Sequence, residues 1–265
     1  MTVLNFDAVL FDCDGVLVDS EPITNNVLRD MLEEAGWALT PVECMRLFVG
    51  KAVKDEAALI QAKTGQLIDE PWMTEFRKRR DAGLHAGLLV IDGALQDVAK
   101  IHQTFQGRIA CASGADRAKV ELQLAMCGLM PYFEGRIFSG HELPRSKPFP
   151  DVYLAAAAAL GVDAKRCAVV EDSVTGVLAG AAAGATVFGY SPHEAGHSAP
   201  DALLAAGAVR VFTDMADLPS LLGSFTRPAL LPPLPGDGGV GASQVQQLTT
   251  CLPPSWPSLT GEGAK

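Results

Sequence analysis

Two aspartates one residue apart, Asp12 and Asp14 in Asp12-Cys13-Asp14-Gly15-Val16, follow directly on the apolar run Ala8-Val9-Leu10-Phe11. Side chains along an extended segment alternate between two faces, so Asp12 and Asp14 can share one side. One acid can then attack an electrophile or hold a metal while its neighbour moves protons, which is the start of a site for phosphorus chemistry. Two other readings compete. A calcium loop of the helix-loop-helix type needs glycine at its sixth position and glutamate at its twelfth. Counted from Asp12, those positions hold Leu17 and Ile23. The plainer alternative is a pair of solvated loop aspartates, which the motif by itself does not exclude.

Composition sets the surroundings. The chain has 265 residues, 48% of them hydrophobic, enough for a sizeable core in one or two domains. Its formal net charge of -10 argues against nucleic acid or an anionic membrane as a partner. The same charge obliges any phosphate site to supply its own cations. The six cysteines (Cys13, Cys44, Cys111, Cys127, Cys167 and Cys251) lack paired metal-ligand spacing. Several lie in apolar runs and read as small buried hydrophobes of a reducing compartment. With no signal-like N-terminus and no apolar run long enough for a bilayer, the expectation is a soluble, monomeric cytoplasmic protein.

The elements that must position these acids follow from periodicity. Phe6 to Asp12 reads as a buried parallel strand. Ile23, Val27, Met31 and Ala35 recur at helical spacing and Gly36 is placed to end that helix. Thr40-Pro41-Val42-Glu43 has the form of a capping box that starts another. Helical text continues over 52–63 and 71–85, making an all-helical block from about 19 to 89. Beyond Ile91, apolar runs over 108–113, 136–139, 167–171, 185–189 and 209–212 alternate with helical stretches at 119–126, 152–160, 174–183 and 202–206. That alternation predicts an α/β fold: a Rossmann-like parallel sheet with helices on both faces. Ligands of such sheets bind outside the carboxyl ends of the strands, and the strands ending at Asp12, Ser113 and Glu171 deliver polar groups to that edge. The expected organisation is an α/β core of residues 1–18 and 90–225, a helical cap of 19–89, and a Pro/Gly-rich tail of 226–265 expected to be disordered.

Four separated features then read together. Ser113-Gly114 ends a strand where a following helix offers N–H groups, Lys147 precedes Pro148-Phe149-Pro150-Asp151 at the mouth of another helix, and Glu171-Asp172-Ser173 ends the 167–170 run. An oxyanion held by Ser113 and backbone amides, neutralised by Lys147 and beside a cation held by acids, is a phosphate site by its physics. Cys13 lies between the acids, and alternation turns it away from them toward a packing role.

This arrangement resembles the haloacid dehalogenase superfamily, in its phosphatase and β-phosphoglucomutase-like branch, over about residues 5 to 223. The text that carries the likeness is Phe11-Asp12-Cys13-Asp14-Gly15-Val16-Leu17-Val18-Asp19-Ser20-Glu21, Ala112-Ser113-Gly114, Lys147-Pro148-Phe149-Pro150-Asp151 and Val170-Glu171-Asp172-Ser173. The resemblance implies Asp12 as the nucleophile that becomes an aspartyl-phosphate, and Asp14 as the acid and then the base. It implies Ser113, Gly114 and Lys147 as phosphate holders. It also implies Mg²⁺ on Asp12, the Asp14 carbonyl and Asp172, with Glu171 ordering metal-bound water or ligating directly. Dehalogenases of the superfamily characteristically lack the second aspartate, so Asp14 favours phosphoryl transfer. The expected substrate is a small phosphorylated metabolite, a sugar or sugar-acid phosphate. Within the helical block, Gly50-Lys51 resembles a loop that faces the cleft in relatives, which makes Lys51 a candidate substrate contact. Lys54 and Arg77-Lys78-Arg79-Arg80 are further cations, most of the run reading as a solvated face. Mutase relatives carry a histidine early in the first cap helix, where this chain has Thr24, Asn25 and Asn26, so a sugar phosphomutase is the alternative rather than the first reading.

Overall fold

The computed structural model describes residues 5–192 and 197–226. The expected tail and the Leu252-Pro253-Pro254-Ser255-Trp256 segment lie outside the described residues, as does Cys251. The chain opens with β1 (Ala8–Phe11) and the short β2 (Val18–Asp19), then runs through α1 (Glu21–Glu34), α2 (Pro41–Phe48), α3 (Ala57–Thr64) and α4 (Glu70–Gly87) to β3 (Leu89–Val90). Next come α5 (Ala94–Thr104), β4 (Ile109–Ser113), α6 (Arg117–Met126), α7 (Met130–Phe133), β5 (Ile137–Ser139), α8 (Asp151–Ala159) and β6 (Cys167–Glu171). The last elements are α9 (Val174–Ala182), β7 (Thr186–Tyr190), α10 (Pro200–Ala206), β8 (Arg210–Phe212) and α11 (Leu218–Ser224).

Six strands form one sheet in the order β5-β4-β1-β6-β7-β8, and every pairing is parallel. The sheet is buried on both faces, which is why its central strands read as continuous apolar runs. Alternation distributes their residues: Val9, Phe11, Ile109, Cys111, Ala168 and Val170 enter one apolar layer. Ala8, Leu10, Ala110, Ala112, Cys167 and Val169 enter the other. Helices α5, α6, α7 and α11 supply the first layer, and α8, α9 and α10 the second. Cys13 belongs to the first layer and is fully buried. Cys13, Cys44, Cys111 and Cys127 are free thiols.

β2 and β3 pair antiparallel, with Val18 opposite Val90 and Asp19 opposite Leu89. Between them the four helices α1–α4 gather around their own apolar cluster of Leu28, Met31, Leu32, Cys44, Phe48, Ile60 and Phe76. The Thr40 capping box forms in both directions, the threonine side chain accepting from the Glu43 N–H and the Glu43 carboxylate accepting from the Thr40 N–H. One helix start differs from the sequence expectation. Residues Val53–Glu56 make a 3-10 turn, and the α-helix proper begins only at Ala57. No side chain caps that turn, and its residues line the cleft described below while Val53 also packs against the apolar cluster of these helices.

Candidate active site

β4, β1 and β6 are neighbours in the sheet, so the polar residues at their carboxyl ends meet over its centre. They open onto a cleft of about 310 Å³ whose lining includes Asp12, Asp14, Ser113, Gly114, Lys147 and Asp172. Asp12 is nearly buried at 7% exposure. Its Oδ1 accepts from Lys147 Nζ at 2.8 Å, and Oδ2 accepts no hydrogen bond among the described residues. Burial pushes the Asp12 carboxyl up to about 7 against the opposing charge of Lys147, with Glu171 and Asp14 adding to the rise.

Lys147 also donates to Glu171 Oε1 at 2.6 Å, so one ammonium bridges two acids. Burial works against that charge, yet Asp12 and Glu171 hold Lys147 well above the ordinary lysine value. Glu171 is fully buried and fully engaged: Oε1 also accepts from Tyr153 Oη at 2.7 Å, and Oε2 accepts from the N–H groups of Asp172 and Ser173 and from Ser173 Oγ. Asp172 is the opposite case. Among the described residues nothing donates to its carboxylate, and burial with the charges of Glu171 and Asp12 drives its carboxyl well above the carboxylate range.

Asp12, Glu171 and Asp172 place ligand oxygens within 4.8 Å of one another. An all-oxygen donor set with a buried, unmatched carboxylate fits a hard divalent cation such as Mg²⁺. The turn after β1 shapes the same spot. Gly15 sits at φ 74, and a Cβ there would lie 2.2 Å from Asp172 Oδ2, so only glycine lets the loop close over that acid.

Asp14 faces a separate set of donors. Its Oδ1 accepts from Lys119 Nζ at 2.8 Å, from Gln123 Nε2 at 2.8 Å and from Ser20 Oγ. Burial alone would raise this carboxyl, but the Lys119 charge and these hydrogen bonds bring it below the usual value. Glu21, at the start of α1, lines the same cleft and is raised by burial and by Asp14 to about 7.

Ser113 is buried, and its Oγ accepts from the Ala115 N–H at 3.0 Å. The helix expected over 119–126 begins two residues earlier, at Arg117, where Asp116 is its N-cap and takes the Lys119 N–H at 3.0 Å. The amides beside Ser113 therefore belong to a short loop. Lys51 lies on the cleft wall and pairs with Glu56 at 3.2 Å. The Gly50 carbonyl before it accepts from Thr175 Oγ1 at 3.3 Å, which ties this loop to the start of α9. In the basic run, Lys78 is exposed and Arg77 and Arg79 pair with Glu70 and with Glu34 and Glu75. Arg80 departs from the solvated reading: it is 5% exposed and pairs with Asp116 at 2.7 Å and with Asp81 at 2.8 Å. As part of α4 it points inward, as helical geometry requires of one residue in four such neighbours.

The comparisons with known proteins give the family. A family model described as haloacid dehalogenase-like hydrolase matches residues 6–184, a span that takes in all four motifs. The chain belongs to that family. Among relatives of this hydrolase, a 6-phosphogluconate phosphatase of Escherichia coli (strain K12) is 29% identical over 220 residues, covering 81% of this chain and 94% of the relative. Hexitol phosphatase B of the same organism is 30% identical over 185 residues, covering 66% of this chain and 79% of the relative. A HAD family hydrolase from Deinococcus radiodurans R1, solved with bound phosphate and sodium, superposes with a TM-score of 0.68 at 34% identity, covering 86% of this chain and all of that one.

Three residues of the hydrolase's site escaped the sequence reading: Lys119, Gln123 and Tyr153. Tyr153 carries no signal in the text. Lys119 does carry one, since a cation in the first turn of a helix opposes the macrodipole and calls for a local counter-charge.

Proposed function

We propose that this hydrolase is a divalent-cation-dependent phosphatase that cleaves a small phosphorylated metabolite, a sugar or sugar-acid phosphate, through a phosphoryl group carried on Asp12. The observation that carries the reading is the Asp12 carboxylate: one oxygen is fixed by Lys147 at 2.8 Å, and the other is left free toward a cleft that Asp14 and Asp172 also line. The relatives named as phosphatases of 6-phosphogluconate and of hexitol phosphates support the substrate class.

In this reading the incoming phosphate is held by Lys147, Ser113 and the amides of the loop at Gly114, which match the charge of its oxygens. Asp12 Oδ2 attacks phosphorus and the bond to the leaving oxygen breaks, with Asp14 delivering a proton to the departing alkoxide. Asp14 then takes a proton from water as that water attacks the phosphoryl group on Asp12, releasing inorganic phosphate and restoring the carboxylate. Dividing the transfer replaces one hard displacement with two easier ones. Mg²⁺ would be held by Asp12, the Asp14 carbonyl and Asp172, with Glu171 completing the acidic cluster, and when bound supplies the positive charge that lets an anionic ester approach an anionic nucleophile. Glu171, clamped through both oxygens, keeps Lys147 aimed at Asp12.

Lys51 and Arg77 on the cleft wall are the candidate contacts for the far end of the substrate. Thr24 and Asn25 line the cleft where mutase relatives carry a histidine, which supports transfer to water over transfer to a sugar hydroxyl. Phosphate release from 6-phosphogluconate and hexitol phosphates, measured with and without Mg²⁺, tests the reading. Asp12→Asn is expected to abolish release. Conversion of β-glucose 1-phosphate to glucose 6-phosphate without release of phosphate would instead establish the mutase.

A further inference from the structure

Helix α6 puts two side chains on Asp14 that the reaction as described does not use. Lys119 and Gln123 stand one turn apart, on the same side of the helix, and both donate to Oδ1 at 2.8 Å. Ser20 Oγ donates to that oxygen as well, while Oδ2 receives no hydrogen bond among the described residues. Three donors on one oxygen fix the carboxylate plane and leave a single oxygen to face the cleft.

The arrangement is unfavourable for Lys119 taken alone. Its side chain is only 7% exposed, and it sits in the first turn of α6, where the helix dipole opposes a cation. Gln123 is itself held, because its Oε1 accepts from Cys13 Sγ at 3.5 Å and this sets the amide so that Nε2 points at Asp14. The turn that carries Lys119 is fixed from outside too. Asp116 caps it through Oδ1, and through Oδ2 accepts from the buried Arg80 of α4 at 2.7 Å.

We propose that Lys119, seconded by Gln123, is the positioning residue that holds Asp14 for the attack of water on phosphorylated Asp12. This rests on the phosphatase reading above. Water oxygen bonds to phosphorus, the bond between phosphorus and the Asp12 oxygen breaks, and the proton leaves to Asp14 Oδ2. That transfer needs one oxygen aimed within hydrogen-bond reach of the attacking water, and a carboxylate free to rotate offers it only part of the time.

p-Nitrophenyl phosphate separates this step from the first, because nitrophenolate departs without a proton. With Mg²⁺ present, Lys119→Met is expected to release a burst of one nitrophenolate per site at no less than a third of the wild-type turnover rate. Turnover after the burst is expected to fall about 100-fold, within the range for loss of a positioned general base. Gln123→Met, which leaves no unpaired buried charge, is expected to show the same split with roughly a tenfold fall. A parallel loss of both phases in Gln123→Met would mean that these residues support the whole site, and unchanged turnover would mean that Asp14 needs no support; either overturns the proposal. Absence of nitrophenolate release from the wild type with Mg²⁺ would instead overturn the phosphatase reading itself.

Discussion

Stripped of divalent cations, the protein is expected to lose stability as pH rises from 5 to 8. Burial raises the Asp12 carboxyl from its ordinary 3.8 to about 7, raises Glu21 from 4.5 to about 7, and drives Asp172 well above the carboxylate range. An acid whose folded value exceeds its unfolded value binds more protons in the native state between the two. No stability is lost below the unfolded value, and the loss accumulates as pH rises to the folded one. For Asp12 the pH interval from 5 to 7 corresponds to roughly 3 kcal/mol at 1.36 kcal/mol per unit. Glu21 and Asp172 act in the same direction. Asp14 and Asp116 are lowered by their partners, so their stabilisation is complete by pH 5 and does not change in this window. Lys147 and Lys119 are raised, so theirs persists through pH 8. His141, lowered by burial and by Lys54, opposes the trend as a single group. Urea midpoints in chelator at pH 5, 6, 7 and 8 measure the slope. Repeating the series at one Mg²⁺ concentration, 100 times the pH 8 dissociation constant, should recover about 2.7 kcal/mol at pH 8 and less at pH 5, where protons compete for the acids. A chelated protein as stable at pH 8 as at pH 5, or a Mg²⁺ effect equal at both, would refute the account of Asp12, Glu21 and Asp172 as acids raised by burial.

Two substitutions probe the framework around the site. Gly176→Ala places a Cβ 1.7 Å from Glu171 Oε1, and the forced displacement of that carboxylate is expected to lower stability by about 3 kcal/mol and to impair phosphate release along with it; urea midpoint and turnover measured on one sample check both. Thr40→Ala removes the capping box of α2 and is expected to cost about 1 kcal/mol while turnover at saturating substrate stays unchanged.

The sheet was legible because a buried parallel strand writes itself as an uninterrupted apolar run, and because Asp12, Ser113 and Glu171 each close such a run. The α2 start was legible for a different reason, since a capping box is local chemistry that three intervening bonds complete. Lys119 and Gln123 were hidden because their meaning depends on which face α6 turns toward β1, a matter of packing that periodicity does not specify. Which member of the basic run turns inward was hidden for the same reason, and packing assigns that place to Arg80, paired with Asp116. The 3-10 turn at Val53–Glu56 went unseen because no side chain caps it and the apolar pattern does not separate it from the α-helix that begins at Ala57.

The order β4-β1-β6 has a consequence for how the chain matures. Partners at positions 111 and 170 must both register against Phe11 before the acids converge, and contacts so remote along the chain form slowly. Regained turnover during refolding therefore reports the last long-range strand pairing, and an early collapsed species with helices formed would remain silent in that assay.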